Sequence, residues 1–153
     1  MKVWRLTKTR YAKSAFDGEG ARIYGARWNS RGTRVAYAST NSALAVLEVL
    51  VHLTGGGGIV IGYSLISATV PDASVEELAP RLLPKDWRAS PVPPSVQAVG
   101  DEWIKSGHAL ALSVPSVIVD DSFNILINPN HPDFAAITID SVSTYEFAPR
   151  LIR

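Results

Sequence analysis

The segment SALAVLEVLVHL, residues 42–53, constrains the fold more than any other part of the chain, because apart from Ser42, Glu48 and His52 every residue in it is apolar. Its spacing predicts a helix, and a helix that is apolar nearly all round has to be buried over most of its circumference. Thr40 or Asn41 offers a side-chain oxygen to cap its start, and the glycines at 55–58 end it. Glu48 and His52 are four apart and share one narrow stripe with Ala45 and Asn41. Two readings fit that stripe. In one it is a solvated seam with a weak ion pair. In the other it sets a carboxylate at the floor of a cleft, where apolar walls exclude water and strengthen its effect on a developing positive charge.

A chain of 153 residues fits one domain, and at that size roughly 70% of the surface of the unfolded chain can be buried. With no cysteine, stability has to come from packing, which suits a reducing cytoplasm. The opening MKVWRLTKTR lacks the apolar core of a secretory signal. No apolar run approaches the roughly 20 residues of a membrane helix, so neither membrane insertion nor export is expected. Fifteen Lys and Arg against fourteen Asp and Glu leave a net charge of +1, too little for a global field that grips nucleic acid. An anionic ligand must therefore be held by local groups.

Val3, Trp4 and Leu6 suggest an edge strand, followed over residues 7–32 by a long ordered loop. Residues 34–39 read as a strand, and the β-branched stretch 59–70 as another, closed by Pro71. Ser74 and Glu77 form a capping-box pattern for a short helix. Residues 84–94, rich in proline, read as a surface crossing that carries Trp87. Val96, Val99, Trp103 and Ile104 recur at helical spacing over residues 95–106, with Gly107 as the stop. Strands are expected at 109–114, 117–119, 124–128 and within 137–147. Strands cluster and helices do not alternate regularly with them. The class is therefore α+β, a single domain with a mixed or antiparallel β core and flanking helices.

Arg22, Arg27, Arg31 and Arg34 fall in one glycine-rich stretch around Tyr24 and Trp28, IYGARWNSRG. The planar fork of arginine matches phosphate oxygens, and glycine lets backbone amides approach an anion, so a diphosphate fits such a loop; surface arginines around one anchoring tryptophan fit it equally. The glycine run at 55–58 lacks the Lys-Ser/Thr of a phosphate-binding loop. His52, His108 and His131 show no metal-ligand spacing, no GxSxG elbow is present, and Ser116 in VPS reads as a turn serine.

The blocks GARWNSRG, VAYAS, ALAVLEVLVHL, LPKDW, VPSV, NILINPNHPDF and FAPRL, in this order from near Trp4 to Leu151, resemble the RES domain, named for an Arg, a Glu and a Ser. The usual glycine pair before the arginine is here Gly25-Ala26, which raises a question of local backbone geometry. The resemblance implies a core like that of ADP-ribosyltransferase toxins and an enzyme that consumes NAD+ as substrate, with no further cofactor and no metal. It identifies Arg27 as the family arginine, Tyr37 as the tyrosine ten positions later, Glu48 as the glutamate and Ser116 as the serine. Glu48 would stabilise an oxocarbenium-like state as nicotinamide leaves ribose. Arg27 would clamp the diphosphate or its adjacent ribose with Arg31 as a weaker helper, Tyr37 would stack on or edge the nicotinamide ring, and Ser116 would offer its hydroxyl to the ligand. Trp28 and Asn29 would shape the pocket, and Asn128 is either a further binding residue or a turn cap.

The resemblance also implies the toxin half of a bacterial toxin–antitoxin pair, with an antitoxin that commonly carries a helix-turn-helix domain. Water, phosphate or a target-protein side chain would accept the ADP-ribose. Two competing readings are a metal-independent ribonuclease using His52, Glu48 and the arginines, which the near-neutral charge argues against, and a silent binding module, which requires Glu48 to face solvent far from Arg27.

Overall fold

The computed structural model describes residues 1–53 and 60–152, so the expected helix stop at glycines 55–58 lies outside the described residues. Among the described residues, seven strands form one mixed sheet in the order β4-β5-β6-β2-β1-β3-β7. They are β1 (Lys2–Lys8), β2 (Ala36–Ser39), β3 (Tyr63–Thr69), β4 (Val75–Glu77), β5 (Ala111–Pro115), β6 (Phe123–Ile127) and β7 (Thr138–Tyr145). Only β4 and β5 pair in parallel. The helices are α1 (Glu19–Tyr24), α2 (Ser42–Leu53) and α3 (Pro94–Ser106), the last lying in the crossover from β4 to β5. The expected α+β class is the observed one.

Register sorts the side chains by face, since residues directly opposite one another share a side. Val3, Ala36, Ala38, Ile66, Ala68, Ile125 and Ile127 lie on one face and pack with Ala15 and Phe16, which follow the 3₁₀ turn Thr9–Ser14. Trp4, Tyr37, Ser39, Asn124, Leu112, Val114 and Leu126 lie on the other. That second face carries both long helices. Val96 and Trp103 of α3 pack with Leu112, Val114 and Leu126, while Val46 and Leu50 of α2 pack with Leu6, Tyr63 and Phe147. The stretch between them is floored by polar strand residues, not by core.

Four local expectations give way to tertiary structure. β1 is an inner strand between β2 and β3, not an edge. Val3 and Leu6 are buried on opposite faces, as a strand covered on both sides requires. The expected loop at 7–32 contains the end of β1, a 3₁₀ turn and α1, whose six residues are too few to show a helical period. The Ser74/Glu77 box forms no helix: a 3₁₀ turn ends at Ser74 and Val75–Glu77 pairs with Ala111–Ser113. Residues 117–119 are not a strand, because the Ser116 hydroxyl accepts from the backbone N–H groups of Ile118 (3.0 Å) and Val119 (3.3 Å) and turns the chain. β6 follows that turn.

At the start of α2 the side-chain oxygen of Asn41 accepts from the Leu44 N–H at 2.8 Å, so Asn41 is the capping residue. Asn41→Ala should lower unfolding free energy by about 1 kcal/mol in urea melts, and Asn41→Asp should keep most of it.

Candidate functional site

A cavity of about 460 Å³ opens on the second face of the sheet. Its floor is Trp4, Tyr37, Ser39 and Asn124; α2 forms one wall through Ala45, Glu48, Val49 and His52; residues 25–28 form another with Val92. Pro115, Val117 and Ile118 complete the rim. Glu48 and Arg27 thus line one cavity, from different elements.

Glu48 is held on one oxygen. Its Oε1 accepts from Asn124 Nδ2 at 2.6 Å and from Ser116 Oγ at 2.9 Å. The amide of Asn124 is itself oriented, because Ser39 Oγ donates to its Oδ1 at 2.7 Å. The second oxygen of Glu48 has no hydrogen-bond partner among the described residues. The hydroxyl of Ser116 is committed to Glu48 and the turn, and the residue is 2% exposed and outside the lining. Ser116 therefore orients the carboxylate, where the expectation had it touching a ligand.

Arg27 uses a single nitrogen for the protein. One Nη donates to the carbonyls of Trp87 (2.8 Å) and Ala89 (3.1 Å), so the residue 84–94 crossing holds the guanidinium in place. Burial lowers its pKa, and electrostatic interaction with Glu48 and Tyr37 opposes that shift; an arginine remains cationic regardless. Of the four arginines in the segment, Arg27 alone lines the cavity. Arg22 and Arg34 both pair with Glu19, and Arg31 is exposed and outside the lining, so its expected helper role has no support from its placement.

Gly25 ends α1 with φ +69°, a conformation glycine takes without strain. Ala26 forms an isolated bridge with Asn29, and Asp121 is the one non-glycine residue with positive φ among the described residues. Alanine after Gly25 thus meets ordinary backbone. Asn29 is fully buried and lines nothing: its Nδ2 donates to the carbonyls of Ala21, Ser30 and Thr33, and its Oδ1 accepts from the Tyr37 hydroxyl at 2.7 Å. Trp28 lines the wall and its N–H donates to that same hydroxyl at 3.1 Å. Tyr37 therefore offers its ring to the cavity. Asn128 lies outside the lining and its Oδ1 accepts from the Asn130 N–H, a turn cap.

Asn124, Ser39, Trp4 and Arg5 also line the cavity, although none of them is among the site residues expected from the sequence. Arg5 donates to the Tyr37 carbonyl at 2.6 Å, and its buried Nε has no partner among the described residues. The available signal was a charge or amide inside an otherwise apolar strand, as in VWRL and FNILI. No group of three or more metal-binding side chains comes together among the described residues, and no described helix is long and apolar enough to cross a membrane.

The family model for the RES domain matches residues 2–149. The chain belongs to the RES-domain family. This RES domain is 40% identical over 135 residues to Toxin Res of Photorhabdus laumondii, covering 88% of this chain and 85% of that protein. It is 41% identical over 155 residues to the Prs ADP-ribosylating toxin of a Sphingobium species, covering 98% and 96%. Toxin Res of Yersinia enterocolitica is 35% identical over 153 residues, covering 99% of each. Among solved structures, the M. tuberculosis MbcT-MbcA toxin-antitoxin complex contains a chain of the same fold, with TM-score 0.72 and 21% identity over 98% of this RES domain and 85% of that chain.

Burial pushes the Tyr37 phenol well above its ordinary pKa; Asp101 adds to the shift, while the Trp28 N–H, Arg27 and Arg5 oppose it. A raised acid pKa means the folded state holds the proton more tightly. Its stabilising effect is complete below the unfolded value of about 10 and is lost as pH rises beyond it. Urea midpoints should therefore fall more steeply above about pH 10 in wild type than in Tyr37→Phe. The variant should be weaker by about 1–3 kcal/mol at pH 8, because Asn29 Oδ1 and the Trp28 N–H lose their partner.

Proposed function

We propose that this RES domain is the toxin of a toxin–antitoxin pair and that it breaks the nicotinamide–ribose bond of NAD+. The observation that carries the reading is the facing of a half-committed carboxylate, Glu48, and a half-committed guanidinium, Arg27, across one cavity floored by the Tyr37 ring. A cavity of about 460 Å³ lies within the range that encloses small-molecule ligands.

The chemistry asks little else of the protein. As the bond from ribose C1 to the pyridinium nitrogen breaks, nicotinamide leaves neutral, so no general acid is needed. Positive charge develops on the sugar and ring oxygen. The free oxygen of Glu48 stabilises that charge and accepts from a ribose hydroxyl, while Asn124 and Ser116 keep the carboxylate from turning away. Arg27 has a second Nη and its Nε without hydrogen-bond partners among the described residues, and these take the diphosphate. The Tyr37 ring stacks on nicotinamide. Val49, Val92, Val117 and Ile118 thin the water around the reacting carbon.

The name of the Sphingobium relative, an ADP-ribosylating toxin 41% identical to this chain, favours a protein side chain over water or phosphate as acceptor. The fold shared with a chain of a toxin-antitoxin complex supports an antitoxin partner, and the family resemblance supports one with a helix-turn-helix domain. An NAD+ substrate and an antitoxin partner would both be met in the cytoplasm, which supports a cytoplasmic location. The silent-module reading needed Glu48 remote from Arg27, whereas the two line the same cavity.

Purified protein incubated with NAD+ should release nicotinamide. Glu48→Gln should slow release by about 10²–10³-fold at saturating NAD+, and Arg27→Ala should raise KM at least about tenfold. Both should abolish growth inhibition on expression in bacteria. Product analysis with and without phosphate identifies the acceptor, and growth inhibition by Glu48→Gln with NAD+ levels unchanged would overturn the proposal.

A further inference from the structure

The wall that carries Arg27 does not rest on the sheet alone; α3 lies behind it and grips it at three residues. Gln97 Nε2 donates to the Ala26 carbonyl at 3.1 Å. The Asp101 carboxylate accepts from the Ser30 N–H at 3.0 Å and from the Ser30 hydroxyl at 2.5 Å. Between them Gly100 meets the Trp28 backbone so closely that a Cβ built on it would stand 1.7 Å from the Trp28 carbonyl oxygen. Positions 97, 100 and 101 are spaced i, i+3, i+4 and share one helix face. Gly100 lies at the border of this face with the core stripe, since Val96, Gly100 and Trp103 are spaced i, i+4, i+7 and all three are buried. An apolar stripe would have served stability; this one carries an amide, a bare backbone and a carboxylate, each applied to the loop between residues 26 and 30.

We propose that Gln97, Gly100 and Asp101 are positioning residues that set where Arg27 stands across the cavity from Glu48, and hence the affinity for NAD+. Arg27 lies between the first two grip points, Ala26 and Trp28, so any shift of the loop carries its guanidinium along. Trp28 also donates to the Tyr37 hydroxyl, so the same shift disturbs the tyrosine that floors the cavity. The scale is sufficient. Real Cβ contacts do not fall under 3.0 Å, so a methyl at position 100 forces helix and loop apart by about 1.3 Å, and a shift of that size is enough to break a charge-assisted hydrogen bond from Arg27 to a diphosphate. The inference deepens the NAD+ reading and rests on it for the ligand, but the grip itself is a mechanical claim with its own measurement.

The test compares Gln97→Ala, Asp101→Ala, Asp101→Asn and Gly100→Ala with wild type in nicotinamide release and in hydrogen exchange of the amides at 26–30. Asp101→Ala should raise KM for NAD+ about tenfold and Gly100→Ala about 10²-fold, the range expected for a weakened or lost hydrogen bond to a charged group, with kcat within about threefold. Asp101→Asn should restore KM, because its carbonyl still accepts from the Ser30 N–H and its amide can donate to the Ser30 hydroxyl. Exchange at 26–30 should quicken in Asp101→Ala and not in β6. If Gly100→Ala does not fold, Gln97→Ala and Asp101→Ala carry the comparison. An unchanged KM in folded Asp101→Ala, or a fall in kcat alone, overturns the proposal. Should wild type release no nicotinamide, the NAD+ reading fails instead, and unquickened exchange at 26–30 would then sink the grip independently.

Discussion

Two hydrogen bonds converge on one oxygen of Glu48, and the candidate site depends on them. A glutamate on a helix has enough rotamer freedom to leave a cavity for solvent, and confining it costs entropy that some interaction must offset. Here the donors come from Ser116 and Asn124, which lie 68 and 76 positions downstream. Hydrogen bonds to a charged group contribute about 1.5–3 kcal/mol each, enough to hold one rotamer. Ser39 extends the constraint by fixing which end of the Asn124 amide faces the carboxylate. The result is a polar chain from β2 through β6 to α2, lying where the two apolar clusters under α2 and α3 leave the sheet uncovered.

The opposite wall solves a different problem. A loop with a buried asparagine and a buried tryptophan has to satisfy its polar groups away from water, or lose about 1–3 kcal/mol for each one left alone. Asn29 does most of this by donating to three carbonyls of its own segment and accepting from Tyr37. Arg22 and Arg34 pair with Glu19, leaving Arg27 as the one arginine of this segment at the cavity. A segment rich in arginine thus presents one guanidinium, oriented by carbonyls of the proline-rich crossing.

Much of this was legible in the residues. The apolar pattern located α2 and its stripe of Glu48 and His52, helical spacing located α3, and Gly107 adopts the left-handed conformation expected of a helix stop. The β-branched run at 59–70 located β3, and the strands expected at 124–128 and within 137–147 fall on β6 and β7. Misreadings fell where local and tertiary preferences differ. The box at Ser74 yields to pairing with β5, and the run Val3–Leu6, which suggests an edge strand, is an inner strand with buried side chains on both faces. α1 is too short to announce itself, and Asn124 looks like any polar residue in a strand until its partner is known.

What the sequence determined by itself was therefore whatever depends on neighbours along the chain: helix periods, caps, stops, the family blocks and which side chains are candidates for the site. Only the tertiary structure decided that Glu48 and Arg27 share a cavity, that Ser116 serves the carboxylate, that Arg31 and Asn128 stand outside, and that α3 needs a glycine against Trp28. The division has a physical cause. Backbone geometry imposes its periods over three or four residues, whereas a hydrogen bond spanning 76 positions, or a contact that tolerates no Cβ, exists only once distant segments have packed.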